Sequence, residues 1–304
     1  MSNSNSLNNF VSVIIPVYND SARLKLCLQA LENQTYSKDL YEVIVVDNAS
    51  EEDLKSIVNQ FSQAKYTYES QSGSYVARNQ GISVAKGEIL AFTDSDCIPD
   101  SNWIEKGVSA LQSTPNCGLV AGRIDLFFKN PDKPTGVELF ENIELNFLQE
   151  QTLKKSNYGM TANIFTSKDV INDVGSFDST LKSGGDREWG QMVFKKGYKQ
   201  VYADDAVVNH PARHSHSQLR KRITRLVGGK FDRMMSKNPS SIEIAKDIAN
   251  TFKPPFRSLH RAWKNETLNG FHQKAQFISV MFFARYISIS EKIRLYLGGR
   301  SQRG

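Results

Sequence analysis

Three apolar runs, each short and each closed by a polar turn, constrain this 304-residue chain most. Val11 to Pro16 (VSVIIP), Glu42 to Asp47 (EVIVVD) and Ile89 to Asp94 (ILAFTD) have uncharged interiors rich in β-branched residues, the pattern of strands buried on both faces. Helical spacings lie between them: Leu24, Leu28 and Leu31 after the first run, then Leu54, Ile57, Val58 and Phe61 after the second. Asp20 or Ser21 can cap the first of these helices. A short strand at Tyr66 to Glu69 and a helix beginning near Gly73 complete the alternation. Such alternation gives βαβ units and a largely parallel sheet, an α/β fold whose length allows a substantial core. Ala77 and Gly81, one turn apart, allow close backbone approach.

Chemistry is expected where these strands end, because ligands of open α/β sheets collect outside the carboxyl ends of the strands. The third run ends in Asp94-Ser95-Asp96. Two carboxylates one residue apart on a turning strand exit can converge on a hard cation, Mg²⁺ or Mn²⁺, which in turn holds a diphosphate. An Asp-rich turn capping the next helix is the plainer reading of the same residues. Arg78 either supplies a fixed cation near this exit or is an ordinary surface residue of its helix. Neither GxGxxG nor GxxxxGK[ST] occurs, so no glycine-rich phosphate loop is expected.

In order, Pro16-Val-Tyr18-Asn19, Val46-Asp47-Asn48-Ala-Ser50, Gly73 with Ala77-Arg78-Asn79-Gln-Gly81, and Asp94-Ser95-Asp96 resemble the donor-binding half of a family 2 glycosyltransferase. The resemblance implies a GT-A fold, Rossmann-like, with a mostly parallel sheet flanked by helices. It implies that Pro16, Tyr18, Asn19, Asp47, Asn48, Arg78, Asp94 and Ser95 line a nucleotide-sugar site, and that Asp96, with Asp94, meets a divalent cation. A UDP-, GDP- or dTDP-linked donor and a saccharide or lipid-linked acceptor follow. Gly185-Asp186-Arg187-Glu188-Trp189 resembles the family's acidic motif at a helix start, with a glycine where a glutamate is common.

An acceptor hydroxyl is a weak nucleophile, and a positioned base contributes roughly 10²- to 10⁴-fold. Asp186 is the first candidate and Glu188 the alternative; Asp186 also suits a helix N-terminus for purely structural reasons. In GT-A enzymes a histidine just past the last core strand often completes the metal site, and His210 holds that position, although a lone histidine is commonly structural.

Charge divides the chain. Residues 211–304 carry 19 basic and 5 acidic residues, a net +14, against −8 for the rest. The expected organisation is a tail at 1–9, a catalytic domain at 10–214 divided near residue 100 into donor and acceptor halves, and a basic helical extension at 215–304. An anionic membrane, a second copy of the chain or a solvated basic face would each account for that extension; nucleic acid is disfavoured. The apolar run at 275–289 is too short to span a bilayer and contains Arg285, leaving membrane contact, subunit contact or the extension's own core. Three cysteines without metal-ligand spacing and an N-terminus without an apolar signal region point to a cytoplasmic protein, or one peripheral on the inner membrane face. The resemblance implies an inverting, metal-dependent enzyme. A catalytically silent sugar- or nucleotide-binding homologue, or an adaptor working through the basic tail, is the alternative.

Overall fold

The computed structural model describes residues 10–145 and 147–302; the tail expected at 1–9 lies outside them. The chain opens with β1 (Val11–Val17), α1 (Ser21–Glu32), β2 (Tyr41–Asp47), α2 (Leu54–Val58), β3 (Ala64–Tyr68), α3 (Ser74–Val84) and β4 (Ile89–Thr93). It continues through β5 (Ile98–Pro99), α4 (Trp103–Ser113), β6 (Cys117–Phe127), α5 (Gly136–Glu144), α6 (Gln149–Ser156), β7 (Asn163–Ser167), α7 (Lys168–Val174), α8 (Gly185–Lys195) and β8 (Lys199–Pro211). Four helices end it: α9 (His216–Met235), α10 (Ser241–Phe252), α11 (Phe256–Lys264) and α12 (Gly270–Tyr296).

The strands form one eight-stranded sheet in the order β3-β2-β1-β4-β7-β6-β8-β5. β3, β2, β1 and β4 run parallel, while β7 joins β4 antiparallel. Every residue of β2 and β4 is buried, which is why both read as unbroken apolar runs. Gly81 is where α3 closes on the sheet: a Cβ there would lie 2.5 Å from Ile14 Cγ2, so a larger residue fits only if Ile14 or the helix shifts. At the centre of the antiparallel half, buried Asn163 accepts from Trp103 Nε1 at 2.9 Å and donates to the carbonyls of Arg123 and Ala206, both at 2.8 Å.

β7 begins only at Asn163, after a turn, and α5 stops at Glu144. β8 runs unbroken through Asp204 and Asp205. Both acids face solvent there, and Asp204 accepts from Arg123 and from the Tyr202 hydroxyl, so the strand continues past them.

Two compact units emerge from the contacts. The first holds the described residues up to Asp125, with Phe147–Thr180 and Gly185–His210; the second holds α5, residues 181–184 and the described chain from Pro211 onward. The second unit is built on Val137, Phe140, Leu219, Ile223 and the inward side of α12. Phe277, Val280, Met281 and Ile287 belong to that core, so the apolar run at 275–289 serves mainly its own unit. Inside the unit, fully buried Glu141 receives Arg222 Nη1 at 2.9 Å and Arg213 Nη1 at 3.2 Å. Desolvation, with Arg213 alongside, pushes the Arg222 guanidinium down to about 10, offset by Glu141. Among the described residues, no helix is long and apolar enough to cross a membrane.

Within the sheet of the first unit, buried Glu42 accepts from Lys65 Nζ at 2.6 Å, from Ser12 Oγ at 2.7 Å and from the Lys86 N–H at 2.8 Å. Desolvation pushes its carboxyl up, and these donors, Lys65 foremost, more than offset it, so it ends below the usual glutamate range. A depressed folded-state pKa contributes stability that is present above the unfolded value near ~4.3 and is lost as pH falls through the folded value. Glu42→Gln is therefore expected to unfold about 1–3 kcal/mol more easily in urea at neutral pH and to lose stability less steeply in acid. Equal acid slopes in both proteins would contradict this.

Candidate functional site

The parallel register sets the site. Val17 pairs with Asp47 and Ile14 with Phe92, so β1, β2 and the turn after β4 end at one level of the sheet. The exits are stitched together by backbone and short polar side chains. Asn19, at φ +46°, donates its N–H to the Ser50 hydroxyl oxygen at 2.9 Å, and its side-chain oxygen accepts from the Glu51 N–H at 2.8 Å. Asn48 donates to the carbonyls of Glu69 and Gln71 and accepts from the Gly73 N–H at 2.6 Å, which fixes the start of α3. Both oxygens of buried Asp47 are engaged, by the Ser50 N–H at 2.9 Å and the Tyr66 hydroxyl at 2.8 Å. Desolvation and this carboxylate push the Tyr66 hydroxyl up to about 12. Asp47 and Asn48 thus frame the loop edge, while Pro16 is partly buried at the end of β1 and the Tyr18 ring stands open to solvent.

Behind the acids lies buried Arg78, on α3. Its Nη2 meets Asp94 Oδ1 at 2.5 Å, and its guanidinium carbon lies 5.8 Å from the centroid of the Tyr75 ring. The Nε of Arg78 is buried without a hydrogen-bond partner among the described residues. Ser95 turns away from its acidic neighbours and donates to Asp20 Oδ2 at 3.2 Å. Asp20 in turn pairs with Arg23 Nε at 2.7 Å, and Arg23 Nη1 reaches Asp96 Oδ2 at 3.4 Å. Burial lowers the Arg23 pKa, but Asp20 and Asp96 outweigh it and hold the group above its ordinary value. No local pattern singles out Arg23 beyond its spacing from Asp20, one helical turn.

A two-residue strand brings the histidine in. β5 pairs antiparallel with β8, Ile98 opposite Asn209 and Pro99 opposite Val208. Stepping back from Ile98 to Cys97 steps forward from Asn209 to His210, so the register itself carries His210 to the acids. His210 Nε2 lies 3.7 Å from Asp96 Oδ1, and the imidazole packs against the Phe147 ring at 4.6 Å between centroids. Asn209 strengthens the pairing by donating to Asp100 Oδ1 at 2.8 Å. One ligand atom each from Asp96, Cys97 and His210 lie within 4.8 Å of one another. A carboxylate oxygen suits Mn²⁺ or Mg²⁺, and an imidazole nitrogen can join it on the softer Mn²⁺. Burial, with Asp96 and Asp94 nearby, pushes the Cys97 thiol well up. Asp94 is not in this cluster, since one of its oxygens is held by Arg78.

Asp186 sits half-buried in the first turn of α8, its Oδ1 accepting from the Arg187 N–H at 2.9 Å, while Glu188 is exposed. The Tyr75 hydroxyl lies 3.4 Å from the same Oδ1. Tyr75, unforeseen in the sequence, explains the glycine of the acidic motif: a Cβ on Gly185 would lie 2.8 Å from its ring. Phe177 stacks on the same ring, centroids 6.0 Å apart. Desolvation and Asp186 push the Tyr75 hydroxyl up to about 12. An unbroken line of contacts, Asp94 to Arg78 to Tyr75 to Asp186, therefore joins the strand-exit acid to the candidate base.

Comparison with known proteins identifies the family and the fold. Residues 12–175 match the glycosyl transferase family 2 description. The chain belongs to that family. It is 42% identical over 219 residues to glycosyltransferase AglE of Haloferax volcanii, covering 70% of this chain and 71% of the relative. A second relative, dolichyl N-acetyl-alpha-D-glucosaminyl phosphate 3-beta-D-2,3-diacetamido-2,3-dideoxy-beta-D-glucuronosyltransferase of Methanococcus voltae, is 22% identical over 232 residues, 72% of this chain and 71% of that one. The fold matches that of a mannosyltransferase from Pyrobaculum calidifontis solved with GDP-Man and Mn²⁺, at a TM-score of 0.62 and 19% identity, over 95% of this chain and 87% of the other. The α/β architecture is thus the GT-A fold, and the family 2 enzyme is a glycosyltransferase with a helical C-terminal region.

The contact between Gly185 and Tyr75 is directly testable. Gly185→Ala is expected to cost about 1–3 kcal/mol by driving the ring aside, and adding Tyr75→Ala should return part of that loss. Thermal melts of the two single variants and the double variant measure the coupling; additive losses would show that the ring and residue 185 do not compete for space.

Proposed function

We propose that this glycosyltransferase moves a sugar from a nucleotide-sugar to a hydroxyl acceptor with inversion at the anomeric carbon, aided by Mn²⁺ or Mg²⁺. The juxtaposition of Asp96 and His210 at the strand exits carries the reading: two elements more than a hundred residues apart in sequence converge on one cation-sized position. Asp96 and His210 would hold the ion, with Asp94 kept beside it by Arg78. A bound divalent cation neutralises the charge that develops on the departing diphosphate. Pro16, Tyr18 and Asn19, with the loop framed by Asp47 and Asn48, would receive the nucleoside, while Arg78 and Ser95 shape the floor beneath. The relative solved with GDP-Man and Mn²⁺ supports a nucleotide-sugar and a metal of this kind.

Asp186 would take the acceptor proton as the hydroxyl oxygen attacks the anomeric carbon, the bond to the diphosphate oxygen breaking on the opposite side. One base and one displacement give inversion. Glu188 is exposed and among the described residues makes no comparable contact with the Tyr75 and Arg78 line, which favours Asp186. A saccharide or lipid-linked saccharide is the acceptor class we favour, in keeping with the dolichyl-linked substrate in the second relative's name. Residues 10–214 would carry the catalysis and 215–304 form a basic extension.

A panel of UDP-, GDP- and dTDP-sugars, screened for Mn²⁺-dependent hydrolysis and thermal stabilisation, tests the reading. At least one donor should respond. Asp186→Asn should keep donor stabilisation while transfer falls by about 10²-fold or more. Near-normal transfer would pass the role to Glu188, and silence towards every donor would favour a non-catalytic homologue.

A further inference from the structure

We infer that α11 and the first turn of α12 form a docking surface for the anionic headgroup layer of a membrane. Three aromatic side chains stand out in this stretch: Phe256 is 71% exposed, Trp263 70% and Phe271 82%. Phe256 and Trp263 are seven residues apart, two turns, and so lie on one side of α11. The helix turns a different side inward, where Ala262 is fully buried and Leu259 packs against the same core. Lys274 joins the two helices: its Nζ donates to the Trp263 carbonyl at 2.9 Å and lies 5.4 Å from the centroid of the Trp263 ring. Phe271, three residues before Lys274, neighbours it on the surface of α12. The rings thus form one patch across two helices.

The charge around the patch selects the occupant. Residues 253–274 contain five Lys/Arg and one acidic residue, Glu266. Elsewhere in this unit much of the basic excess is internally paired, Arg213 and Arg222 to Glu141, Lys292 to Asp247 and Arg294 to Glu291. In the patch, Arg261 pairs with Glu144, and Lys264 and Lys274 have no acidic partner among the described residues. Aromatic rings interleaved with lysines that have no acidic partner among the described residues match the two layers of a bilayer surface, rings at the carbonyl level and ammonium groups at the phosphates. The long apolar side of α12 is spent on the core, so the contact is shallow and peripheral.

Flotation of the purified full chain with phosphatidylcholine vesicles, with and without phosphatidylglycerol, tests it. The chain should rise only with the phosphatidylglycerol vesicles, and added salt should weaken the association. A variant carrying Phe256→Ser, Trp263→Ser and Phe271→Ser should remain at the bottom with an unchanged circular dichroism spectrum and melt, because all three side chains are exposed. Lys264→Glu with Lys274→Glu should also lower the floated fraction. Failure of the native chain to float, equal flotation with neutral vesicles, or undiminished flotation of the aromatic variant would overturn the proposal. A dimer that the aromatic substitutions dissociate, without flotation of the native chain, would assign the patch to a second copy instead.

Discussion

Everything in the site depends on strands that end level with one another. β1, β2 and β4 are buried on both faces and locked in parallel register, so their exits cannot slip without turning apolar side chains out of the core. That rigidity lets a few loop residues be held by short polar contacts. Asn19 and Asn48 bind neighbouring exits together, and Asp47 spends both oxygens on the framework. Glu42, deeper in the same sheet, is tolerated because every buried charge-bearing oxygen it offers finds a donor.

The antiparallel half adds what the parallel half lacks. Two residues, Ile98 and Pro99, pair with β8, and that small piece of sheet decides where His210 goes. The imidazole is then fixed by Phe147 on one side and Asp96 near its Nε2. Arg23 also reaches Asp96, so the carboxylate lies between a guanidinium and an imidazole. The same economy holds at Asp186, whose neighbourhood is made by Tyr75 from the start of α3 and by the absence of a side chain at Gly185.

Much of this was legible in the sequence, for physical reasons that particular residues illustrate. Strands buried on both faces leave an uninterrupted apolar trace, so β1, β2 and β4 were plain, as were Asp47 at the end of β2 and Asp94 just after β4. Close packing at Gly81 followed from its spacing with Ala77. The rest was hidden by separation along the chain. A two-residue strand such as β5 has no periodicity to read. The contacts Arg23 to Asp96, Tyr75 to Asp186 and His210 to Asp96 span 73, 111 and more than a hundred residues, and no local pattern announces them. Charge counting likewise showed a basic C-terminal region but not its internal partners, since Glu141 is one acid among several on α5 until Arg213 and Arg222 fold onto it.

The central claim is that Asp96 and His210 together hold a divalent cation at the strand exits. Electron spin echo spectroscopy of the protein with Mn²⁺ and a nucleoside diphosphate tests it without reference to turnover. The account predicts modulation from one imidazole nitrogen directly bound to Mn²⁺, lost in His210→Gln, and loss of Mn²⁺ binding itself in Asp96→Ala while the protein remains folded. Bound Mn²⁺ without nitrogen coupling in the native protein, or an unchanged signal in His210→Gln, would contradict it.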